Sequence, residues 1–147
     1  MSWVGYTIER MFGDLAERID NLETELSAVE TEIGRLRARQ VEILTELDTH
    51  QVDLAEGDRG MEDWVASRLD VSPQTAHRLM NVAHCDDRWI LEQLQAGRLG
   101  LDRASHLVKL AATGATPELI TEAATGYSLG RLWGLIDSRR RVDHNME

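Results

Sequence analysis

The first third of the chain carries apolar residues at alternating spacings of four and three, which predicts a helix that buries one narrow stripe. On a heptad the a and d positions are filled by Ile8, Phe12, Leu15, Ile19, Leu22, Leu26, Val29, Ile33, Leu36, Gln40, Ile43 and Leu47. These twelve residues are called the apolar stripe below. A long helix that is polar elsewhere needs a partner helix to cover such a stripe. We therefore predict a coiled-coil dimerisation helix over residues 1–55 and a homodimer.

The arrangement of that dimer is left open by the sequence. Ile at a with Leu at d favours a parallel pair, and one polar a residue such as Gln40 can fix register and strand number. The flanking charges give mixed support, because Arg18 would attract Glu23 of a second copy while Glu25 would repel Glu30. An antiparallel pair, a larger bundle, or a helix folded back on the rest of the chain are the alternatives.

The remaining chain shows short helical patterns separated by clear punctuation and no alternating strand pattern. Residues 56–60 combine glycine and charge and predict a hinge, followed by a helical domain over 61–142 and a tail over 143–147. Asp87, Thr116 and Ser128 are placed to cap three of the helices. The predicted fold class is all-α, with a long coiled-coil helix followed by a compact multi-helix domain.

Residues 60–81, GMEDWVASRLDVSPQTAHRLMN, have a spacing of apolar and polar residues that is typical of a helix-turn-helix. Small and aliphatic residues fall where two crossing helices would meet: Val65, Ala66, Leu69, Val71, Ala76 and Leu79. Ser72 can cap the second helix and Pro73 suits its first position. Asp70 occupies the turn position that favours a left-handed backbone, which Asp tolerates better than most residues.

The second helix of such a pair enters the DNA major groove in many DNA-binding proteins. Gln74, His77, Arg78 and Asn81 fall on its outer face, where Arg78 could bond guanine and Gln74 or Asn81 could bond adenine. Ser72 and the N–H groups at the helix start would hold phosphate. Three further residues are predicted phosphate contacts: Arg68, Arg98 and Arg103. The basic triplet 139–141 is equally well explained by phosphate contact or by the dipole at a helix end.

Charge and cysteine content limit the alternatives. The net charge is −10, but residues 1–58 hold fourteen acids against five arginines, a net of −9, and residues 59–147 carry a net of −1. The predicted DNA-binding part is thus nearly neutral and would attract phosphate only weakly. The single Cys85 excludes an internal disulfide and fits a reducing cytosol. We expect no membrane span, no signal peptide in MSWVGYTIERMF, and a cytoplasmic, nucleoid-associated protein.

No catalytic pattern stands out. The five histidines form no ligand cluster, the only lysine is Lys109, and a Gly-x-Ser-x-Gly turn is missing. We predict a non-enzymatic protein with no cofactor and no metal. The tryptophans at 64, 89 and 133 fall on apolar faces and are predicted to anchor the core.

Residues 61–141 resemble the actinobacterial domain-of-unknown-function family known as thirteen-E-twelve repeat proteins. The matching segments are MEDWVASRL, VSPQTAHRLMNVA, LQAGRLGLDRASHLVKLA and YSLGRLWGLIDSRRR. More distantly, the order of elements resembles the helix-turn-helix domain of ParB-type partition proteins, although the His-Ala-Arg element of that family is Arg103-Ala104-Ser105 here. The resemblance implies a helical region that often precedes an HNH endonuclease domain.

This chain ends RRRVDHNME, where His144 and Asn145 lack a following segment to hold a metal, so nuclease activity is not expected from it. The resulting hypothesis is a dimer that binds double-stranded DNA as a regulator or as the targeting module of a separately encoded nuclease. The alternative is a protein-interaction adaptor with an acidic stalk and no DNA contact. A third option is a piece of a longer protein whose activity lies downstream.

Overall fold

The chain folds into helices only, over the part that the structure describes. In this computed structural model the backbone is described for residues 3–146 and the side chains for residues 7–142. The helices are α1 Trp3–Thr49, α2 Val52–Ala55, α3 Met61–Leu69, α4 Pro73–Ala83, α5 Arg88–Gln95, α6 Leu101–Ala112, α7 Pro117–Gly126 and α8 Leu129–Met146. The predicted all-α class, with a long first helix and a compact multi-helix domain, is confirmed.

Helix α4 is the centre of the compact domain and packs against α1, α3 and α6. Ala76, Leu79 and Met80 recur at helical spacing along its inner face and are completely buried. Helix α6 then carries the outer layer, because α5, α7 and α8 all pack against it. Leu132 and Ile136, one turn apart, bury the inner face of α8. This arrangement leaves the start of α4 at the surface between α6 and α8.

Helix α1 has two different halves. From residue 7 to residue 30 every side chain is exposed. Beyond that point the helix packs against α4 and α5, and Ala38, Val41 and Leu44 join the buried core. With 3.6 residues per turn, this docked face lies roughly 120° around the helix from the apolar stripe. The compact domain therefore begins inside α1 and does not start at residue 61 as the sequence pattern indicated.

A close approach of two glycines fixes α1 against the domain. Gly34 is buried, and a Cβ there would come within 3.3 Å of the Gly97 Cα. Gly97 itself has a φ of +73°, and a Cβ at that position would collide with Thr31. The sequence analysis did not identify this contact, because heptad periodicity identifies only the face with the apolar stripe and gives no information on a second packed face.

The predicted hinge is tied to α3. Glu56 accepts a hydrogen bond of 2.5 Å from the Trp64 indole and pairs with Arg68 at 3.5 Å. Trp64 is buried, as predicted. These bonds attach Glu56, the first residue of the predicted hinge, to α3.

The helix caps are mostly as expected. The side chains of Asp87, Thr116 and Ser128 accept hydrogen bonds from Trp89, Leu119 and Arg131 N–H groups at 3.0, 3.2 and 3.1 Å. The last helix continues to Met146, into the segment 143–147 that was predicted to be a tail. Of the predicted tail, 143–147, the side chains, including those of His144 and Asn145, lie outside the described residues, and so does that of Trp3.

Candidate nucleic-acid interface

The turn between α3 and α4 forms for local reasons that the sequence predicts. Asp70 adopts the left-handed conformation, with φ 52° and ψ 52°, and the Val71 N–H bonds back to the Ala66 carbonyl at 3.1 Å. The Ser72 hydroxyl then accepts a hydrogen bond of 3.1 Å from the Thr75 N–H. Pro73 follows at the first helical position, where its missing N–H costs nothing. The start of α4 is thereby fixed relative to α3.

Three of the predicted base-contacting residues lie on the outer face of α4. Gln74 and His77 are exposed and Arg78 is half-buried. The Glu62 carboxylate accepts a hydrogen bond of 2.7 Å from His77 Nδ1. Arg78 pairs with Asp102 at 3.4 Å. Both carboxylates are more than half exposed, so water also solvates them and the two contacts contribute little to stability.

The outer face of α4 borders an open cleft of about 500 Å³. The cleft, called the α4 cleft below, is lined by Pro73, Gln74, His77, Arg78, His106, Lys109 and Trp133. Its far wall is aromatic and cationic. The His106 ring meets the Trp133 ring edge-on with centroids 5.9 Å apart, and the Lys109 ammonium lies 5.9 Å from the centroid of a Trp133 ring.

Trp133 is 46% exposed, so the prediction that it anchors the core was wrong. The reason is its phase on α8, where the buried positions are Leu132 and Ile136 and the next residue after Leu132 points about 100° away. Trp89, for which the same prediction was made, is half-buried and packs against the core. Of the three tryptophans of the compact domain, Trp133 is therefore the most exposed to solvent.

Lys109 is a residue of the α4 cleft whose pKa is shifted by its surroundings. Partial burial lowers the pKa of Lys109, and the positive charges of Arg140 and Arg78 lower it further, while Glu62 acts in the opposite direction. Burial contributes most to this shift, and the repulsion from Arg140 and Arg78 adds to it. An anion placed in the cleft would relieve that repulsion.

Asn81 does not point outward as predicted. Its side-chain amide donates hydrogen bonds of 3.0 Å to both the carbonyl and the hydroxyl of Ser105, which is itself buried. The bonds join α4 to α6. Asn81 lies one turn beyond His77, where α6 packs against α4. The spacing of polar residues along α4 does not show that α6 covers the helix at this point.

Arg103 likewise serves the fold. Its guanidinium donates to the carbonyls of Ala123 and Tyr127, at 3.3 and 2.6 Å, and so binds the C-terminal end of α7. A helix end offers carbonyls without intrahelical partners, and a cation satisfies them well. The predicted phosphate contact by Arg103 is thus replaced by a contact within the domain.

The other predicted phosphate contacts lie outside the cleft. Arg68 is exposed, pairs with Glu56, and lies 5.6 Å from the centroid of a Trp64 ring. Arg98 is exposed at the turn before α6, where it donates to the Gln93 side chain at 3.4 Å. Both guanidiniums are accessible, but they do not converge with Arg78 on one cleft.

The basic triplet of α8 is divided among different partners. Arg139 donates to the Thr113 hydroxyl at 2.8 Å, and Arg141 pairs with Asp137 at 2.9 Å. Arg140 is exposed and close enough to Lys109 to affect its pKa. Of the three, Arg140 is the one that adds positive charge beside the α4 cleft.

The apolar stripe of α1 is the second candidate surface. Ten of its members are exposed, with exposed fractions between 42% and 70%. The exceptions lie in the docked half of the helix. Leu47 packs partly against the core, and the half-buried Gln40 accepts a hydrogen bond of 3.0 Å from Arg37. The uncovered stripe therefore runs from Ile8 to Ile43.

Three residues of the α4 cleft were missed at the sequence level: His106, Lys109 and Trp133. The first two lie three positions apart and so share one face of α6. The sequence contains that three-residue spacing. It also shows that Trp133 lies out of phase with the apolar positions Leu132 and Ile136, which indicates an exposed side chain. Their convergence with α4 depends on how α6 and α8 pack, which no local pattern specifies.

Within the described residues no group of three or more His, Cys, Asp or Glu side chains is arranged to hold a metal ion. None of the helices over that same range is both long and apolar enough to cross a membrane. Comparison of the chain with protein-family models, with curated proteins and with solved structures found no match, so the resemblance described above stays a prediction.

Proposed function

We propose that this chain binds duplex DNA through the outer face of α4, as a homodimer held by the apolar stripe of α1. The observation that carries the proposal is that Gln74 and His77 are exposed, and Arg78 half-buried, on one outer face at the start of a capped helix. A helix presented in this way can enter the major groove, where amide and guanidinium groups distinguish base pairs.

The local charge supports phosphate contact at this face. Arg78 and Arg140 both lie close enough to Lys109 to lower its pKa, and the α4 N-terminus adds its partial positive charge. The opposing Glu62 and Asp102 carboxylates reduce the attraction. We therefore expect selective binding that weakens steeply with salt, without strong non-specific coating of DNA.

Dimerisation supplies the rest of the affinity in this proposal. Two linked α4 helices bind as one unit, because the second contact becomes intramolecular once the first is made. A two-fold symmetric dimer would select an inverted repeat, with half-sites about 34 Å apart or a multiple of that distance. Regulation of transcription, or targeting of a separately encoded nuclease, are the roles that fit such a binding mode.

The experiment begins with selection of bound duplexes from a random pool, followed by titration of the best duplex at several salt concentrations. Arg78→Ala should weaken binding. If Arg78 bonds guanine, the variant should also lose about 1–3 kcal/mol of preference at one base pair. If Arg78 contacts phosphate, the slope of log affinity against log salt concentration should fall in magnitude by about one. Arg88→Ala is the matched control, because Arg88 is exposed on α5 and lies outside the cleft. Equal effects of the two variants would remove α4 from the interface.

An adaptor without DNA contact is the second candidate, favoured by one observation. The exposed first half of α1 belongs to a segment, residues 1–58, with a net charge of −9, which would attract a basic protein surface. If no duplex is retained near physiological salt while the dimer persists, the adaptor is the better explanation.

A further inference from the structure

The far wall of the α4 cleft carries an exposed aromatic side chain, which recognition of base edges in a DNA groove does not require. Trp133 presents nearly half of its surface to solvent, although it lies beside a face made mostly of hydrogen-bond donors. Bases inside a duplex offer only their edges to a protein, and their flat faces are covered by neighbouring bases. A tryptophan face is matched by a base that has left the stack.

The groups around Trp133 define the rest of the ligand. Lys109 and Arg78 supply two cations to the same cleft, and Gln74 supplies an amide that can donate and accept. The His106 Nδ1 donates to the Asp102 carbonyl at 2.6 Å, which fixes the ring and leaves Nε2 as its other hydrogen-bonding atom. Together these groups suit a flat aromatic ligand that carries an anion.

We propose that the α4 cleft binds a single nucleotide that is not base-paired, with its base against Trp133 and its phosphate between Lys109 and Arg78. The cleft volume of about 500 Å³ falls within the range of small-ligand sites. The proposal rests on the proposed function, since it adds an unpaired nucleotide, at a strand end or a distorted step, to the DNA that α4 binds. Its neighbouring phosphate would relieve the repulsion among Lys109, Arg78 and Arg140.

The test compares three probes on the 147-residue chain: a blunt duplex, the same duplex with a three-nucleotide single-stranded overhang, and free deoxyadenosine monophosphate. The overhang should improve affinity about 5- to 100-fold, which is the range expected for stacking of one base on an aromatic side chain. Trp133→Ala should abolish that gain, Trp133→Phe should keep part of it, and Lys109→Gln should reduce it. Leu129→Ala is the matched control, because Leu129 is a similarly exposed apolar residue on α8 that does not line the cleft.

Tryptophan fluorescence gives an independent readout. Binding of the overhang should quench emission in the natural protein and have a much smaller effect in Trp133→Phe. Quenching by the free monophosphate at similar concentrations would identify a free nucleotide as the source of the ligand, whereas quenching by the overhang alone would identify DNA.

The outcomes separate the two proposals. If the blunt duplex binds but the overhang adds nothing and Trp133→Ala changes neither affinity, the nucleotide site is overturned and the proposed function stands. If no duplex binds but the free monophosphate quenches Trp133, the nucleotide site stands and the proposed function fails. Trp133 also has about half of its surface covered, so Trp133→Ala should melt at a lower temperature than the natural protein, and binding is measured well below both melting temperatures. Trp133→Phe keeps part of that packing, so its partial retention of the gain distinguishes stacking from a folding defect.

Discussion

Replacing one leucine of the apolar stripe should weaken the dimer in a way that can be calculated from its exposure. Leu26 lies at an a position of the heptad and is 70% exposed in the single chain. Complete burial of a leucine side chain contributes about 1.5–3 kcal/mol, so covering the exposed part contributes about 1–2 kcal/mol in each chain and about 2–4 kcal/mol in a dimer. Leu26→Glu removes this contribution from both chains.

Since 1.4 kcal/mol corresponds to a factor of ten, the dimer dissociation constant should rise roughly 30- to 1000-fold. Sedimentation equilibrium over a wide range of protein concentration measures that constant directly. Leu54→Glu is the matched control, because Leu54 is 66% exposed but lies on α2, outside the stripe. If Leu26→Glu and Leu54→Glu shift the constant equally, or if the natural chain is monomeric throughout, the stripe is not the dimer interface.

Three further predictions concern stability and reactivity. Ser72→Ala removes the cap of α4 and should lower the free energy of unfolding by about 0.5–2 kcal/mol in denaturant titrations; no change would show that the cap contributes nothing. Asn81→Ala leaves the buried Ser105 hydroxyl without its amide donor and should cost about 1–3 kcal/mol, while adding Ser105→Ala should recover part of the loss in a double-mutant cycle. Burial raises the pKa of the Cys85 thiol, so the thiol ionises at higher pH in the folded protein than in the unfolded chain. The midpoint of its alkylation rate against pH should therefore be higher in the folded protein than in denaturant. Coincident midpoints would contradict that shift.

Features governed by neighbouring residues in the sequence were the most predictable. The left-handed Asp70, the Ser72 cap and the Pro73 start depend on residues within one helical turn, and the structure contains all three. The exposure of Gln74 and His77 also follows from helical phase, once the inner face of α4 is assigned to Ala76 and Leu79.

Features that depend on packing between distant segments were not predictable in the same way. The apolar stripe is the stronger periodic signal of α1 and conceals a second, weaker face of Gly34, Ala38 and Val41 that docks on the domain. Asn81 and Arg103 look like solvent-exposed polar residues until α6 and α7 supply the groups they bind. Helical periodicity places each residue on one face of its helix, but it does not show which other helix packs against that face.

The measurement that tests DNA binding by α4 most directly is amide chemical-shift mapping of the full-length protein during titration with the selected duplex. The largest shifts should cluster at Gln74, Thr75 and Arg78, where backbone N–H groups and side chains would face the groove, and the exposed acidic stretch 14–25 of α1 should be unaffected. Shifts confined to that acidic stretch, or no shifts at duplex concentrations well above the protein, would contradict it.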